Sequence, residues 1–291
     1  MVDKVFLTPA DNAAREDMRR TVLISPRVSS VAVGKSIMQR PIEMFTIGNG
    51  RGRVMFFGAH HAQESITCNL LFAFMHRIAM ANDLLWGIDV AALFSRFTFN
   101  FVPAVNPDGI ELRFHGCGNN PLAKRQVEMA GGDFSAWQAN ARGVDLNHNY
   151  NAGFYEYKEI ELKEGIAPGN TKYSGLYPES EPETRAVANL IRTLMPAAVV
   201  SLHSQGEEIY YSPSNPKVRR IASRLGEKMG YTPALPSGSA KYGGLCDYTG
   251  SLSIPSFTVE VGRGKNPLNE GLVPEIFDRI KTALLLLPTM L

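Results

Sequence analysis

The chain has 291 residues, enough for one large α/β domain or two small ones with a sizeable buried core. Lysine and arginine number 30 against 28 aspartates and glutamates, a formal charge of +2, with 44% hydrophobic and 20% charged residues. Those proportions exclude wholesale disorder and a nucleic-acid-coating polycation, so nucleic acid is not an expected partner. No apolar run reaches the roughly 18 residues of a membrane span. The longest candidate, Ala283 to Leu287, stops at Pro288, and no membrane association is expected. The opening Met1-Val2-Asp3-Lys4-Val5 lacks the basic-then-apolar layout of a secretory signal, so the expected location is cytoplasmic. Cys68, Cys117 and Cys246 stand far apart with no CxxC pair, which argues against both a disulfide framework and a thiolate metal site. Any metal must be held by histidine and carboxylate. The sequence carries no signal of oligomeric state.

In chain order, residues 1–40 are expected to form a polar lead-in to the same domain, and residues 41–291 its main body. Within the lead-in, Val28 to Val33 carries too weak a β signal to assign. Ile42 to Ile47 and Arg53 to Phe57 read as two strands joined by Gly48-Asn49-Gly50, a hairpin-type turn. Ser65 to Met80 reads as a buried helix, with Leu70, Phe74 and Ile78 at four-residue spacing. Phe97 to Val102 is a strand and Pro103 to Gly109 a loop. Ser180-Glu181-Pro182-Glu183 carries helix-start chemistry for a helix running to about Leu194. Ala197 to Leu202 and Phe257 to Val261 read as strands buried on both faces, and Pro274 to Leu287 as a closing amphipathic helix. This alternation predicts a single α/β domain with a largely covered sheet. Phe114 to Gly143 and Asn151 to Tyr177 read as long irregular stretches of the kind that build site walls.

The strongest chemical signal is Gly58-Ala59-His60-His61-Ala62-Gln63-Glu64, directly after a strand and opening a helix. His61 and Glu64, three apart, lean to one side of a first helical turn, where an imidazole and a carboxylate can close on one ion. His60, four from Glu64, competes for the same role. A plainer reading makes Glu64 a complement to the helix dipole and both histidines polar loop residues. His203 stands at the carboxyl end of a buried strand, where open α/β sheets place their sites, although a lone histidine there is commonly structural. Two histidines and one glutamate make a catalytic zinc set with a fourth position left for water. Glu260 puts a carboxylate inside an otherwise mostly apolar strand, which is costly without a partner or a task. Arg263 or Lys265 could be that partner.

Taken together, the order His61-x-x-Glu64, Asn106-Pro107-Asp108-Gly109, Gly143-Val144-Asp145-Leu146-Asn147, Ser180-Glu181-Pro182-Glu183-Thr184, His203-Ser204 and Glu260 resembles the zinc carboxypeptidase family. The resemblance runs from about Phe45 to Gly264. It implies an α/β/α fold on a mixed central sheet and one Zn²⁺ on His61, Glu64 and His203. It also implies that Glu260 is general base and acid. Family members carry an oxyanion-stabilising arginine shortly before the GVDLN block, and Arg142 is the candidate here.

Departures from the pattern narrow the substrate. Pancreatic-type members read Asn-Arg where this chain reads Asn147-His148, and an imidazole cannot reproduce the bidentate fork of arginine. The position before the glutamate of HxxE, often arginine, is Gln63. The blocks from Gly143 to His148, Ser204 to Tyr210 and Glu260 to Pro267 resemble the bacterial γ-D-glutamyl-L-diamino acid endopeptidases. That branch implies a murein peptide or other small peptide as substrate. Asn147, His148, Arg113, Arg263 and Lys265 would contact it, Glu207 or Glu208 would meet its amine, and the plain alternative for these charges is a solvated rim. Tyr210, Tyr242 and Tyr248 are candidate donors with no clear choice among them. The competing functions are a metallocarboxypeptidase releasing C-terminal amino acids, an aspartoacylase-type deacylase, and a catalytically silent relative that binds wall peptides.

Overall fold

The computed structural model describes residues 2–212 and 216–291, apart from the side chain of Ser239. Eight strands form one mixed sheet in the order β1-β2-β6-β3-β7-β10-β8-β9. They are β1 (Val28–Lys35), β2 (Pro41–Ile47), β3 (Gly52–Phe57), β6 (Phe97–Val102), β7 (Ala198–His203), β8 (Glu208–Tyr211), β9 (Thr232–Ala234) and β10 (Ser256–Glu260). A separate ribbon pairs β4 (Leu84–Leu85) with β5 (Ile88–Asp89). The four central strands β6, β3, β7 and β10 are parallel, so their carboxyl ends lie along one edge. Strand alternation divides the core. Val54 and Phe56 face one side with α1 (Asn12–Leu23), α2 (Ile66–Ala79), α8 (Pro216–Met229) and α10 (Val273–Leu286). Met55 and Phe57 face the other with α7 (Pro182–Leu194) and α9 (Leu245–Ser251). The result is the single α/β/α domain on a mixed sheet that the sequence predicts.

Several local expectations are corrected. The strands flanking Gly48-Asn49-Gly50 exist but do not pair, because β6 lies between them. Gly48 has φ +85°, and a Cβ at Gly50 would stand 1.8 Å from the Arg96 carbonyl carbon. The turn is therefore pressed onto the start of β6 and cannot close a hairpin. Val28–Lys35 is an edge strand antiparallel to β2, bulged between Ala32 and Gly34. Its half-exposed side chains supply no apolar alternation to read. The stretch read as a loop up to Gly109 already starts α4 (Pro107–His115), capped by the Asn106 side chain, which accepts from Gly109 N–H. The two stretches read as irregular contain α5 (Ala123–Ala130) and α6 (Phe154–Glu164). The cap of α7 is Glu181, one residue later than Ser180, whose hydroxyl donates to the Glu181 carboxylate.

Candidate metal centre

Three parallel strands converge on the site. β3 ends at Phe57 and feeds the loop Gly58–His61, β7 ends at His203, and β10 ends at Glu260, the register partner of His203. The loop after β3 is fixed from several directions. Ala59, at φ +48°, donates its N–H to Thr67 Oγ1 (2.8 Å), and the Asn106 amide donates to the carbonyls of His60 and Ala139 (both 3.0 Å). His61 is extended and precedes a single 3₁₀ turn, Ala62–Glu64, before α2 begins. Residues three apart eclipse in a 3₁₀ turn, so His61 and Glu64 meet without an α-helical turn.

Their polar atoms converge with those of His203. His61 Nδ1 lies 2.9 Å from Glu64 Oε1, His203 Nδ1 lies 3.0 Å from Glu64 Oε2, and the two imidazole nitrogens are 3.3 Å apart. Ligands about 2.0–2.2 Å from one tetrahedral ion stand roughly 3.3–3.6 Å from each other, and two imidazoles with a carboxylate suit zinc. The donor set fits that metal. The other nitrogen of His61, Nε2, donates to Asp145 Oδ1 (3.0 Å), which turns Nδ1 toward the centre. Asp145 also accepts from the N–H groups of Asn147 (3.1 Å) and Lys172 (3.2 Å) and from the Gln138 amide (3.3 Å).

The electrostatics follow from this packing. Burial opposes the charged form of Glu64, but the facing imidazoles outweigh it and hold the pKa at about 2. Asp145 is held well below the carboxylate range for the same reason, chiefly by His61 against burial. Glu260 goes the other way, pushed up to about 8 by burial and then by the negative charge of Glu64. His60 turns away from the triad, with Nε2 2.9 Å from the Tyr150 hydroxyl, and burial pushes its pKa well down.

A cavity of about 430 Å³ opens over the triad. Glu260, Asn147 and His148 line it, together with Gln138, Lys172, Tyr210 and Asp247. His148 is half-buried, stacks on Tyr157 at 3.8 Å and donates from Nδ1 to the Tyr242 carbonyl (2.9 Å). The other predicted contacts fall outside the cavity lining, each for a visible reason. Arg142 donates to Glu181 (2.9 Å), so the group that its stretch sends into the cavity is Gln138. Arg113 donates to Ser65 Oγ (3.0 Å) and covers the Phe114 ring. Glu207 is buried between Arg263 and Arg279, which engages both Glu207 and Arg263 away from the metal. Glu208 accepts from the Tyr210 hydroxyl (2.5 Å) and is likewise outside the lining. Lys265 is exposed on the loop whose next residue, Asn266, reaches the cavity. Tyr248 packs on Tyr150 and accepts from Arg192, leaving Tyr210 as the tyrosine of the three in the lining.

The zinc carboxypeptidase family profile matches residues 18–234, about three quarters of the chain. The chain belongs to the zinc carboxypeptidase family. Its expected class, a zinc-dependent hydrolase, is the class of that family. It is 32% identical over 263 residues to the gamma-D-glutamyl-L-diamino acid endopeptidase 1 of Lysinibacillus sphaericus, covering 87% of this chain. The chain spans 65% of that relative, just under two thirds. Among solved structures it superposes on bovine thrombin-activatable fibrinolysis inhibitor with a TM-score of 0.75 at 20% identity, covering 98% of this chain and 97% of that one. The murein-tripeptide amidase MpaA from Escherichia coli O157 gives a TM-score of 0.57 at 19% identity, with 88% and 91% covered. At these identities the two structures speak for the fold. Sequence alone marks neither Gln138 nor Lys172: Gln138 follows Trp137 in a stretch whose charged candidate is Arg142, and Lys172 stands in no motif.

Proposed function

We propose that this protein is a zinc-dependent peptidase that hydrolyses the amide bond between the side-chain carboxyl of D-glutamate and a diamino acid in murein peptides. The observation that carries the reading is the histidine at position 148, where carboxyl-terminal exopeptidases of the family grip a free C-terminus with arginine. Its ring is committed to Tyr157 and the Tyr242 carbonyl, and burial lowers its pKa, so it offers a poor substitute for that fixed charge. The 32% identity to a gamma-D-glutamyl-L-diamino acid endopeptidase supports the same substrate class. All three cysteines are free, which accords with a reducing compartment and supports a cytoplasmic role on soluble murein fragments.

One zinc ion on His61, Glu64 and His203 would supply Lewis acidity toward water and a carbonyl oxygen. The protein's own residues handle protons and position. With the positive charge of the ion offsetting the burial and the Glu64 repulsion that raise its pKa, Glu260 would be ionised, take the proton of the attacking water and pass it to the departing amine nitrogen. Asn147 Oδ1 accepts from Leu245 N–H (3.1 Å), which leaves its NH₂ group for the substrate. A competition assay tests the reading: L-Ala-γ-D-Glu-diaminopimelate and a plain peptide are incubated together and the products identified by mass. Release of free diaminopimelate is expected. Preferential trimming of the plain peptide from its C-terminus would overturn it.

A further inference from the structure

We propose that Lys172 is the cation that receives a carboxylate of the substrate. The inference rests on the reading above, in which the substrate is an acidic peptide. Such a peptide needs a positive contact besides the metal, and the arginines expected to provide it are held elsewhere, Arg142 by Glu181, Arg113 by Ser65 and Arg263 by Glu207. Among the described residues lining the cavity, Lys172 is the single lysine or arginine.

Its backbone is set for that place. Lys172 has φ +67°, a left-handed conformation that a side chain of this size adopts only when its surroundings impose it. Two hydrogen bonds do so: its N–H donates to Asp145 Oδ2 (3.2 Å), and its carbonyl accepts from the Tyr157 hydroxyl (2.9 Å). The same Asp145 orients His61 and the same Tyr157 stacks on His148, so the lysine is fixed to both the metal centre and the cavity wall. The ammonium is loosely engaged, 3.7 Å from Glu164 with both side chains about half exposed. A pair of that kind exchanges readily for a better-placed carboxylate.

The carboxylate can come from the α-position of the D-glutamyl residue or from the diamino acid, and the test separates them. Lys172→Met is compared with the wild type on the free tripeptide, on its D-glutamyl α-amide and on its diamino-acid amide. KM on the free acid should rise about tenfold with kcat little changed, a charge-assisted contact moderated by solvent. Lys172→Arg should restore most of the loss. On one of the two amides, wild type and Lys172→Met should become equal, which names the carboxylate. An equal loss on all three peptides, or no loss on any, would overturn the assignment. A protein that leaves γ-D-glutamyl peptides intact and trims plain ones refutes the proposed function instead. Lys172 is then judged on a plain peptide against its C-terminal amide. If neither is cut, calorimetric binding of the free acid and both amides to the zinc-loaded protein reads the same difference.

Discussion

Replacing Glu183 by glutamine should flatten the pH dependence of stability between about pH 4.5 and 8. The side chain is fully buried at the start of α7, where Oε1 accepts from Ile37 N–H (3.1 Å) and Oε2 from the Asn140 amide (3.3 Å). Burial, helped by the charge of Asp108, pushes its pKa from 4.5 up to about 8. The native state therefore holds this proton more tightly than the unfolded chain does. The stability that Glu183 contributes is complete below pH 4.5 and is lost as the pH rises, the loss ending near pH 8. A gap of about 3.5 in pKa corresponds to about 5 kcal/mol, a slope near 1.4 kcal/mol per pH unit. Relaxation and water entry around the ionised carboxylate reduce this, so a fall of about 2–5 kcal/mol is expected. Glutamine keeps the acceptor for Ile37 and gives up a weak bond to Asn140, at a cost of about 1 kcal/mol. Urea unfolding of both proteins, with metal removed, should show the variant less stable at pH 5 and more stable at pH 8. Parallel stability curves across that interval would refute the reasoning.

Chelation should abolish hydrolysis and added zinc restore it, while metal analysis should find zinc lost from Glu64→Ala and His61→Ala but kept by His60→Ala, whose ring faces Tyr150. Full occupancy in Glu64→Ala would remove that residue from the ligand set. Glu260→Gln should keep zinc and lower kcat by roughly 10²–10⁴-fold in a steady-state assay. Asp145→Asn should weaken zinc binding about 10–100-fold in a competition titration, since a neutral amide holds the His61 N–H less firmly. Arg142→Ala should leave KM within about twofold and lower stability by about 1–3 kcal/mol, as its guanidinium holds the buried Glu181 carboxylate. A large kcat loss there would return it to an oxyanion role.

The legible part of the fold was its most buried part. Ala197 to Leu202 and Phe257 to Val261 were readable because strands covered on both faces must be mostly apolar, and both sit within a residue of β7 and β10. Order within the sheet was not. Nothing local to Gly48–Gly50 says that β6, some 50 residues later, will insert between the strands it joins, because that choice is made by packing against Arg96 and Phe97. The candidate site divides in the same way. His61, Glu64, His203 and Glu260 stand in short motifs at strand ends, where an ionisable group in apolar sequence is conspicuous. The charged candidates Arg142, Arg113, Glu207, Arg263 and Lys265 fall outside the cavity lining, and charge alone does not report a partner. Arg142, Arg263 and Glu207 look free in sequence, and their counterparts Glu181 and Arg279 lie 39 and 72 residues from Arg142 and Glu207.

Asp145 is where metal and substrate recognition meet. Its Oδ1 holds the His61 ring and its Oδ2 holds the backbone of Lys172, so one buried carboxylate sets both the donor atom turned toward the proposed metal and the residue proposed to meet the substrate. The arrangement explains how the chain can do without the arginine at 148. An arginine there would carry its charge at the position itself. Here His148 instead stacks on Tyr157, the same ring whose hydroxyl grips the Lys172 carbonyl, and the charge is delivered from the neighbouring loop. A flexible ammonium imposes less geometry than a guanidinium fork, and such a contact suits a carboxylate borne on a branched peptide better than the fixed end of a linear chain.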